Sequence, residues 1–295
     1  MKQGLIQTII IATVGLLATT YAFALEKNLL QGLYLGGSLG ESILTMQESV
    51  VGSGNATVVD AASGFLLSGT VPLSNHANMV KNSVLGQLYA GYGFISKEFY
   101  SKQFYLSGEV AVHFANGVTY SDRGTGLSEE LSFGGPTVEL TGSTSSVNSK
   151  ASISPTQFSI LARPGVLFKT NGLLFGKVGA NFSSLSYQVI TSSTNRIFGY
   201  PSDPLVLTTS SRQQRTSLLL GGGLEYVIFN RWSLRADYTY INYGGLSTNV
   251  NRSIPLVIND GTVSSEIGSV AVTGNNHISI QDQSITLGVV YHFNV

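Results

Sequence analysis

The sequence contains no cysteine, so neither a disulfide nor a zinc-thiolate site can hold it together. Charge is scarce: 11% of the residues are Asp, Glu, Lys or Arg, against roughly 25% in ordinary globular domains. The 16 basic and 16 acidic residues cancel, which leaves no excess of positive charge to attract nucleic acid. Past the first two dozen residues, no apolar run reaches the roughly 18 residues that a membrane helix requires. What is plentiful is glycine, with 34 residues, and tyrosine and phenylalanine, with 14 of each. The mean hydropathy is +0.21. An apolar chain without long apolar runs must carry its hydrophobic residues in alternation with polar ones.

The amino terminus is a separate matter. Met1 and Lys2 give a positive start, Leu5 to Ala18 forms an apolar run, and Ala22-Phe23-Ala24 places small residues at both critical positions of a cleavage site. Residues 1–24 therefore read as a secretory signal removed after Ala24. The mature chain, residues 25–295, then holds 15 basic and 16 acidic residues, a net charge of −1.

The strongest alternation lies in Ser217 to Tyr243. Leu220, Gly222, Leu224, Tyr226 and Ile228 share one face, and Gly221, Gly223 and Glu225 the other. After Phe229-Asn230-Arg231, Trp232, Leu234, Ala236, Tyr238 and Tyr240 oppose Ser233, Arg235, Asp237 and Thr239. Period 2 over two such runs predicts an antiparallel hairpin with a tight turn. The same pattern recurs in Gly32 to Gly40, Leu85 to Ile95, Phe104 to Phe114, Phe158 to Phe168, Leu174 to Phe182 and Ser284 to Phe293. That makes eight strands. Pro164 cannot donate to a ladder, so a bulge or irregular pairing is expected there.

The connections alternate between long and short. Polar, Ser-, Thr- and Gly-rich stretches at about 45–82, 116–156, 188–216 and 244–283 separate pairs of strands joined by brief links such as Lys169-Thr170-Asn171-Gly172. A soluble sandwich has no reason to place every long connection at one end, but an outer-membrane barrel does. The fold class that follows is all-β, an eight-stranded antiparallel transmembrane β-barrel with long extracellular loops and short periplasmic turns. Apolar pairs within the long stretches, Phe65 with Leu66 and Leu256 with Val257, point to hairpins that continue above the membrane.

Aromatic residues settle which face meets lipid. With the apolar face outward, Phe94, Phe104, Phe168, Trp232 and Phe293 fall at the periplasmic ends of the strands, and Phe114, Phe158, Phe182 and Tyr240 near the other ends. These are two girdles, about 25 Å apart for tilted strands of this length. The strand charges then share the opposite, lumenal face: Glu109, Arg163, Lys177, Glu225, Arg235 and Asp237, three of each sign. An eight-stranded interior is only wide enough for side chains. The six should therefore pair across it, Glu109 with Arg163 and Glu225 with Lys177 or Arg235, while His113, Asn181 and Gln87 complete their hydrogen bonds.

Four segments carry a resemblance: LYLGGSLG at 33–40, GQLYAGYGF at 86–94, GLEYVIFNRWSLRADYTY at 223–240 and TLGVVYHF at 286–293. In this order they resemble the outer-membrane β-barrel family that includes OmpA-type transmembrane domains, OmpX-type barrels and opacity-like surface antigens. In the last segment Gly288, Tyr291 and Phe293 match the signal read by the barrel-assembly machinery, although Asn294 and Val295 follow. The resemblance implies a monomeric surface antigen or adhesin-like barrel among outer-membrane lipids and lipopolysaccharide. Its loops would touch host or envelope molecules, and a periplasmic peptidoglycan-binding domain is not expected. A small channel like the OmpW group, passing small hydrophobic compounds, is the second reading, and a lipid-modifying enzyme the third.

Motifs for chemistry are thin. Gly36-Gly37-Ser38-Leu39-Gly40 matches the nucleophile-elbow spacing but lies inside a strand, without the helix that such an elbow needs. His76, His113, His277 and His292 show no metal-ligand spacing. Two of them, His113 and His292, have lumenal parity and read as hydrogen-bonded fillers, and His76 with His277 offers only a metal site assembled between loops. The triplet Gly221-Gly222-Gly223 lacks the setting of a phosphate-binding loop. No catalytic residue, metal or cofactor is expected.

Overall fold

The computed structural model describes residues 29–59, 66–96, 103–115, 119–125, 132–133, 144–168, 171–194, 196–197, 200–201, 205–259 and 264–293. Segment 1–24, Phe65 and the pair Asn294-Val295 lie outside the described residues. All described elements are strands: β1 (Gly32–Val59), β2 (Leu66–Ile95), β3 (Phe104–Ala115), β4 (Thr119–Thr125), β5 (Ser132–Phe133), β6 (Thr144–Ile153), β7 (Thr156–Phe168), β8 (Gly172–Thr194), β9 (Arg196–Ile197), β10 (Tyr200–Pro201), β11 (Leu205–Phe229), β12 (Trp232–Asn259) and β13 (Ser264–His292).

Eight of these close a ring in the order β1, β2, β3, β7, β8, β11, β12, β13 and back to β1, every pair antiparallel. The sheet has eleven strands, however, where alternation alone gave eight. β4 and β6 pair with each other beyond the ends of β3 and β7, β6 also pairs with β8, and β5 attaches to β2.

The pairing fixes the barrel's dimensions. From Phe114 the partners lead around the ring through Gly86, Leu39, Leu287, Ala236, Leu224, Leu174 and Val166 to Phe104, ten residues back along the starting strand. A stagger of ten residues over eight strands, with a rise of about 3.3 Å and a spacing of about 4.8 Å, sets a tilt of about 40° and a backbone diameter of about 16 Å. Such an interior holds side chains and little else.

Most of the stretches read as loops are wall. β1 and β2 run to 28 and 30 residues and β13 to 29, so at this tilt their wall is about 70 Å tall, well over the height of the apolar band. Period 2 persists above the band: Leu44, Met46 and Glu48 are buried inside while Ile43 and Gln47 are exposed outside. Polar outward residues made these segments look like loops, yet their inward residues keep the alternation of strands. Leu66, Leu256 and Val257 accordingly lie within β2 and β12.

Irregularities are few. The β7–β8 register runs straight past Pro164, from Ala162↔Val178 to Gly165↔Phe175, so the ladder is interrupted there without a bulge. A bulge does occur in β12 between Asn242 and Gly244. Gly244 takes φ +75°, a conformation that disfavours a Cβ, and its N–H donates to Asn242 Oδ1 at 2.9 Å. The bulge passes the inward position from Tyr243 to Leu246. At the hairpin turn Asn230 has φ +44°, as a two-residue connection requires.

Inward glycines leave room for aromatic rings. A Cβ on Gly91 would stand 2.3 Å from the Tyr34 hydroxyl and 2.5 Å from the Gly108 carbonyl, whereas one on outward Gly86 would meet nothing nearer than 3.6 Å. Gly91→Ala should therefore destabilise the barrel by about 1–3 kcal/mol, and Gly86→Ala should stay within about 0.5 kcal/mol. Urea unfolding in lipid micelles, followed by Trp232 fluorescence, measures both.

Candidate functional site

Inside the ring the side chains stack in layers. Nearest the periplasm Leu30, Tyr105, Leu173, Phe175 and Val227 form an apolar floor. Above it lies the charged belt, then a polar layer, then a second apolar cluster.

The belt gathers all six of the expected lumenal charges, while Glu48 and Asp282, also buried inside, lie above it. Arg163 is fully buried and meets two carboxylates, Glu109 at 3.2 Å and Glu225 at 2.9 Å. Arg235 meets Glu109 at 2.7 Å and Asp237 at 2.9 Å, and Lys177 meets Asp237 at 3.1 Å. The expected pair of Glu109 with Arg163 is present. Glu225 instead pairs with Arg163 and His292, the latter at 2.9 Å, rather than with Lys177 or Arg235. Register makes Glu225 and Arg235 cross-strand partners, but both terminal nitrogens of Arg235 turn across the lumen to Glu109.

Aromatic and hydroxyl groups complete the belt. Tyr34 donates to Glu109 at 2.9 Å and accepts from Arg163 at 3.1 Å. Ser233 donates to Glu225 at 2.7 Å. The Arg163 guanidinium lies 3.9 Å from the Phe175 ring centroid and that of Arg235 lies 4.3 Å from Tyr89, so the flat faces of both cations are covered by rings. Sequence reasoning missed Tyr34, Tyr89 and Ser233, and took His292 for a filler. The parity of each was readable; what was not is how far each reaches across the lumen.

His113, Asn181 and Gln87 stand apart from the charges. They form the polar layer above, with His113 Nε2 and Ser159 Oγ 2.8 Å apart, Asn181 donating to Gln157 at 2.8 Å and Ser38 donating to Gln87 at 3.3 Å. Ser38, the serine of the elbow-like spacing, is thus buried in β1 and bonded to an amide. His76 and His277 are exposed on the outer wall, each opposite Ser49 on β1. His277 Nδ1 is 2.9 Å from Ser247 Oγ. Among the described residues no group of three or more His, Asp or Glu could hold a metal.

The second apolar cluster caps the polar layer. Leu44, Met46, Leu185, Leu219, Ile278 and Ile280 are among its members, each at most 3% exposed. Tyr187, a member of the cluster, donates to Glu48 at 2.5 Å and accepts from Asn276. Outside, Phe94, Phe104, Phe168, Trp232 and Phe293 are exposed at the periplasmic end, and Phe114, Phe158 and Phe182 at the other, where Tyr240 is half-buried. Tyr291 contacts both Trp232 and Phe293 at 4.9 Å between centroids. Gly288 stands between Gly37 and Ser38 of β1, so the carboxy-terminal match forms the closing seam.

A closed antiparallel ring with an apolar exterior and paired charges inside accords with the sequence family. Residues 10–293 match the model of the outer membrane protein beta-barrel domain. The chain belongs to that family. Among solved structures this barrel is similar to Ail, the attachment invasion locus protein of Yersinia pestis, at 12% identity over 88% of this chain and 99% of that one, with a TM-score of 0.29. It is also similar to the outer membrane protease OmpT from Escherichia coli, at 10% identity, 93% and 99% coverage and a TM-score of 0.24. Neisserial surface protein A follows at 10% identity, 85% and 97% coverage and a TM-score of 0.23. No curated protein matches the sequence.

The belt makes a discriminating prediction. Arg163→Ala leaves Glu225 with only His292 opposite it and Glu109 with only Arg235, and should cost about 3–5 kcal/mol. Adding Glu225→Ala should recover part of that loss, while Arg235→Ala with Glu225→Ala, which share no direct ion pair, should show the weaker coupling of the two. Double-mutant cycles from urea unfolding in micelles separate the two patterns.

Proposed function

We propose that this barrel is a non-enzymatic outer-membrane surface protein, exported by the signal at 1–24, monomeric, and closed through its lumen. Its work is done by the wall above the membrane, as a surface antigen or adhesin-like contact face that also braces the envelope among its lipids. The barrel-assembly machinery would insert it through the Gly288, Tyr291 and Phe293 signal.

The observation that carries this reading is the filled interior. Two apolar clusters bracket a belt in which each of the six charges touches an opposite charge. A water path would have to pass the upper cluster, where Met46, Leu185 and Leu219 have no exposed surface, and dry apolar constrictions of that kind block ions. Against catalysis, Ser38 is engaged with Gln87, and His113 and His292 face inward, away from lipid.

Residues 25–295, refolded into planar bilayers with insertion checked by heat-modifiable gel migration, should give a silent membrane. Discrete, stable conductance would move the channel reading to first place. Hydrolysis of phospholipid or lipopolysaccharide by the pure protein would move the enzyme reading there.

A further inference from the structure

Above the aromatic row the ring divides. Among the described residues the β11–β12 pairing ends at Leu218↔Asn242, and from there β11 continues paired with β8 alone and β12 with β13 alone. Phe182↔Thr216 marks the aromatic row on β8 and β11, so the opening starts where the apolar band ends. Arg215 stands at its foot. It has the parity of Ser217 and Leu219, which are buried inside, and Gln213 and Ser211 lead up from it as a line of half-buried polar positions. Its Nη2 donates across the opening to the Gly245 carbonyl at 3.0 Å, while its Nε is buried without a partner. Arg163, Lys177 and Arg235 each touch a carboxylate in the belt below. Arg215 touches none among the described residues. Asp282, a buried acid two strands away on β13, accepts instead from Ser42 of β1 at 2.5 Å.

Three neighbours repeat this deficit. Ser183 is the cross-strand partner of Arg215, and Asn181 that of Ser217, so the four side chains form a two-by-two grid about 5 Å by 7 Å on the inner wall. Ser183 Oγ, Ser217 Oγ and Asn181 Oδ1 are, like Arg215 Nε, buried without a hydrogen-bond partner among the described residues. All three of these residues are more than nine-tenths buried. The Asn181 amide is oriented by Gln157, whose Oε1 accepts from Asn181 Nδ2 and from the Tyr243 hydroxyl, both at 2.8 Å. Four adjacent buried polar atoms are costly to leave unpaired, and one guest lying over the grid satisfies them together. Leu185 above and Leu219 below have no exposed surface. Such dry surroundings strengthen each bond to the guest.

The donor count selects the guest. An arginine N–H and two hydroxyls offer three donors beside a full positive charge, so the guest is an anion that accepts from all three. Asn181 Oδ1 asks for one donor in return. Chloride carries no proton, and sulfate has lost both of its protons near neutral pH. A small oxyanion that keeps a proton, such as hydrogen phosphate, meets both demands.

We propose that Arg215, Ser183, Ser217 and Asn181 form a site in the upper lumen for a small protonated oxyanion of the hydrogen phosphate class, entered along β11 from above the membrane. Arginine grips such an anion by charge-assisted hydrogen bonds. A lipid phosphate is the poorer fit, because its acyl chains lie on the outer wall while the four groups face the lumen. The site stands apart from the surface-antigen reading, since a ligand held here need not cross the barrel.

The test is calorimetric titration of the full mature barrel in uncharged maltoside micelles with sodium phosphate and, at equal ionic strength, with sodium sulfate. Phosphate should bind saturably, and sulfate on the order of tenfold more weakly, because it brings no proton to Asn181 Oδ1. R215Q should weaken phosphate binding about ten- to hundredfold, and S217A about two- to tenfold. R212Q removes an exposed cation from the outer face of the same strand and should bind as the wild type does. Absence of saturable binding, or equal binding by R215Q and the wild type, overturns the proposal and makes water the partner of the four atoms. Sulfate binding as tight as that of phosphate overturns the protonated class. Displacement of phosphate by added phosphatidylglycerol also overturns the proposal and makes a lipid headgroup the occupant. Heat-modifiable migration of each variant verifies folding. Conductance is read separately, so an open lumen would sink the proposed function without touching this result.

Discussion

Ring closure is the constraint from which the other features follow. In hydrocarbon every backbone N–H and C=O must be paired within the chain, so the sheet cannot keep an edge. The pairing of β1 with β13 removes the last one. Eight strands staggered by ten residues then set an interior about 16 Å across between backbones, and everything inward must fit that space. Gly36 and Gly91 face the rings of Tyr89 and Tyr34 at distances no side chain could share, so large inward residues on one strand are matched by absent side chains on the next.

The same confinement governs the charges. A guanidinium or ammonium facing lipid would cost about 2–4 kcal/mol at midplane and a carboxylate somewhat less, so charge enters a strand on the inward face. Once there it is cut off from water and must find a partner within the ring. Buried ion pairs add little net stability over well-packed apolar groups. Their contribution here is positional. The belt draws residues from β3, β7, β8, β11, β12 and β13, with Tyr34 from β1 and Tyr89 from β2, so all eight wall strands meet at it. A slip of one residue in any charged strand would turn its charges to lipid and leave their partners unpaired. The belt therefore penalises every neighbouring register while stabilising one.

The parity of each band strand could be read directly, because lipid on one side and a closed interior on the other force a strict apolar and polar split. Phe104 to Phe114 is the plainest case, with outward Phe104, Leu106, Val110 and Phe114 exposed and inward Glu109 and His113 buried. Two things were not legible. Above the band the outward face meets water, so Gln47 and Ser49 look like loop residues although Leu44, Met46 and Glu48 keep the beat of a strand. Partner choice in the lumen was the other. Sequence gives the face of Glu225 but not the stagger that brings it within reach of Arg163, and stagger is a property of the closed ring rather than of any one strand.

A wall that stays β-sheet far above the membrane changes where recognition can reside. Loops adapt their shape, but a sheet repeats at fixed spacings of about 3.3 and 4.8 Å, and its exposed groups form a lattice held by the layers beneath. Leu185 and Tyr187, buried in the upper apolar cluster, alternate along β8 with outward Ser184, Ser186 and Gln188. The packing that closes the lumen thus also orders the polar surface outside it. A lattice of small hydroxyl and amide groups suits partners that meet many exposed polar groups at once. It suits a single deep-pocket ligand poorly, because no side chain on a flat wall can enclose one.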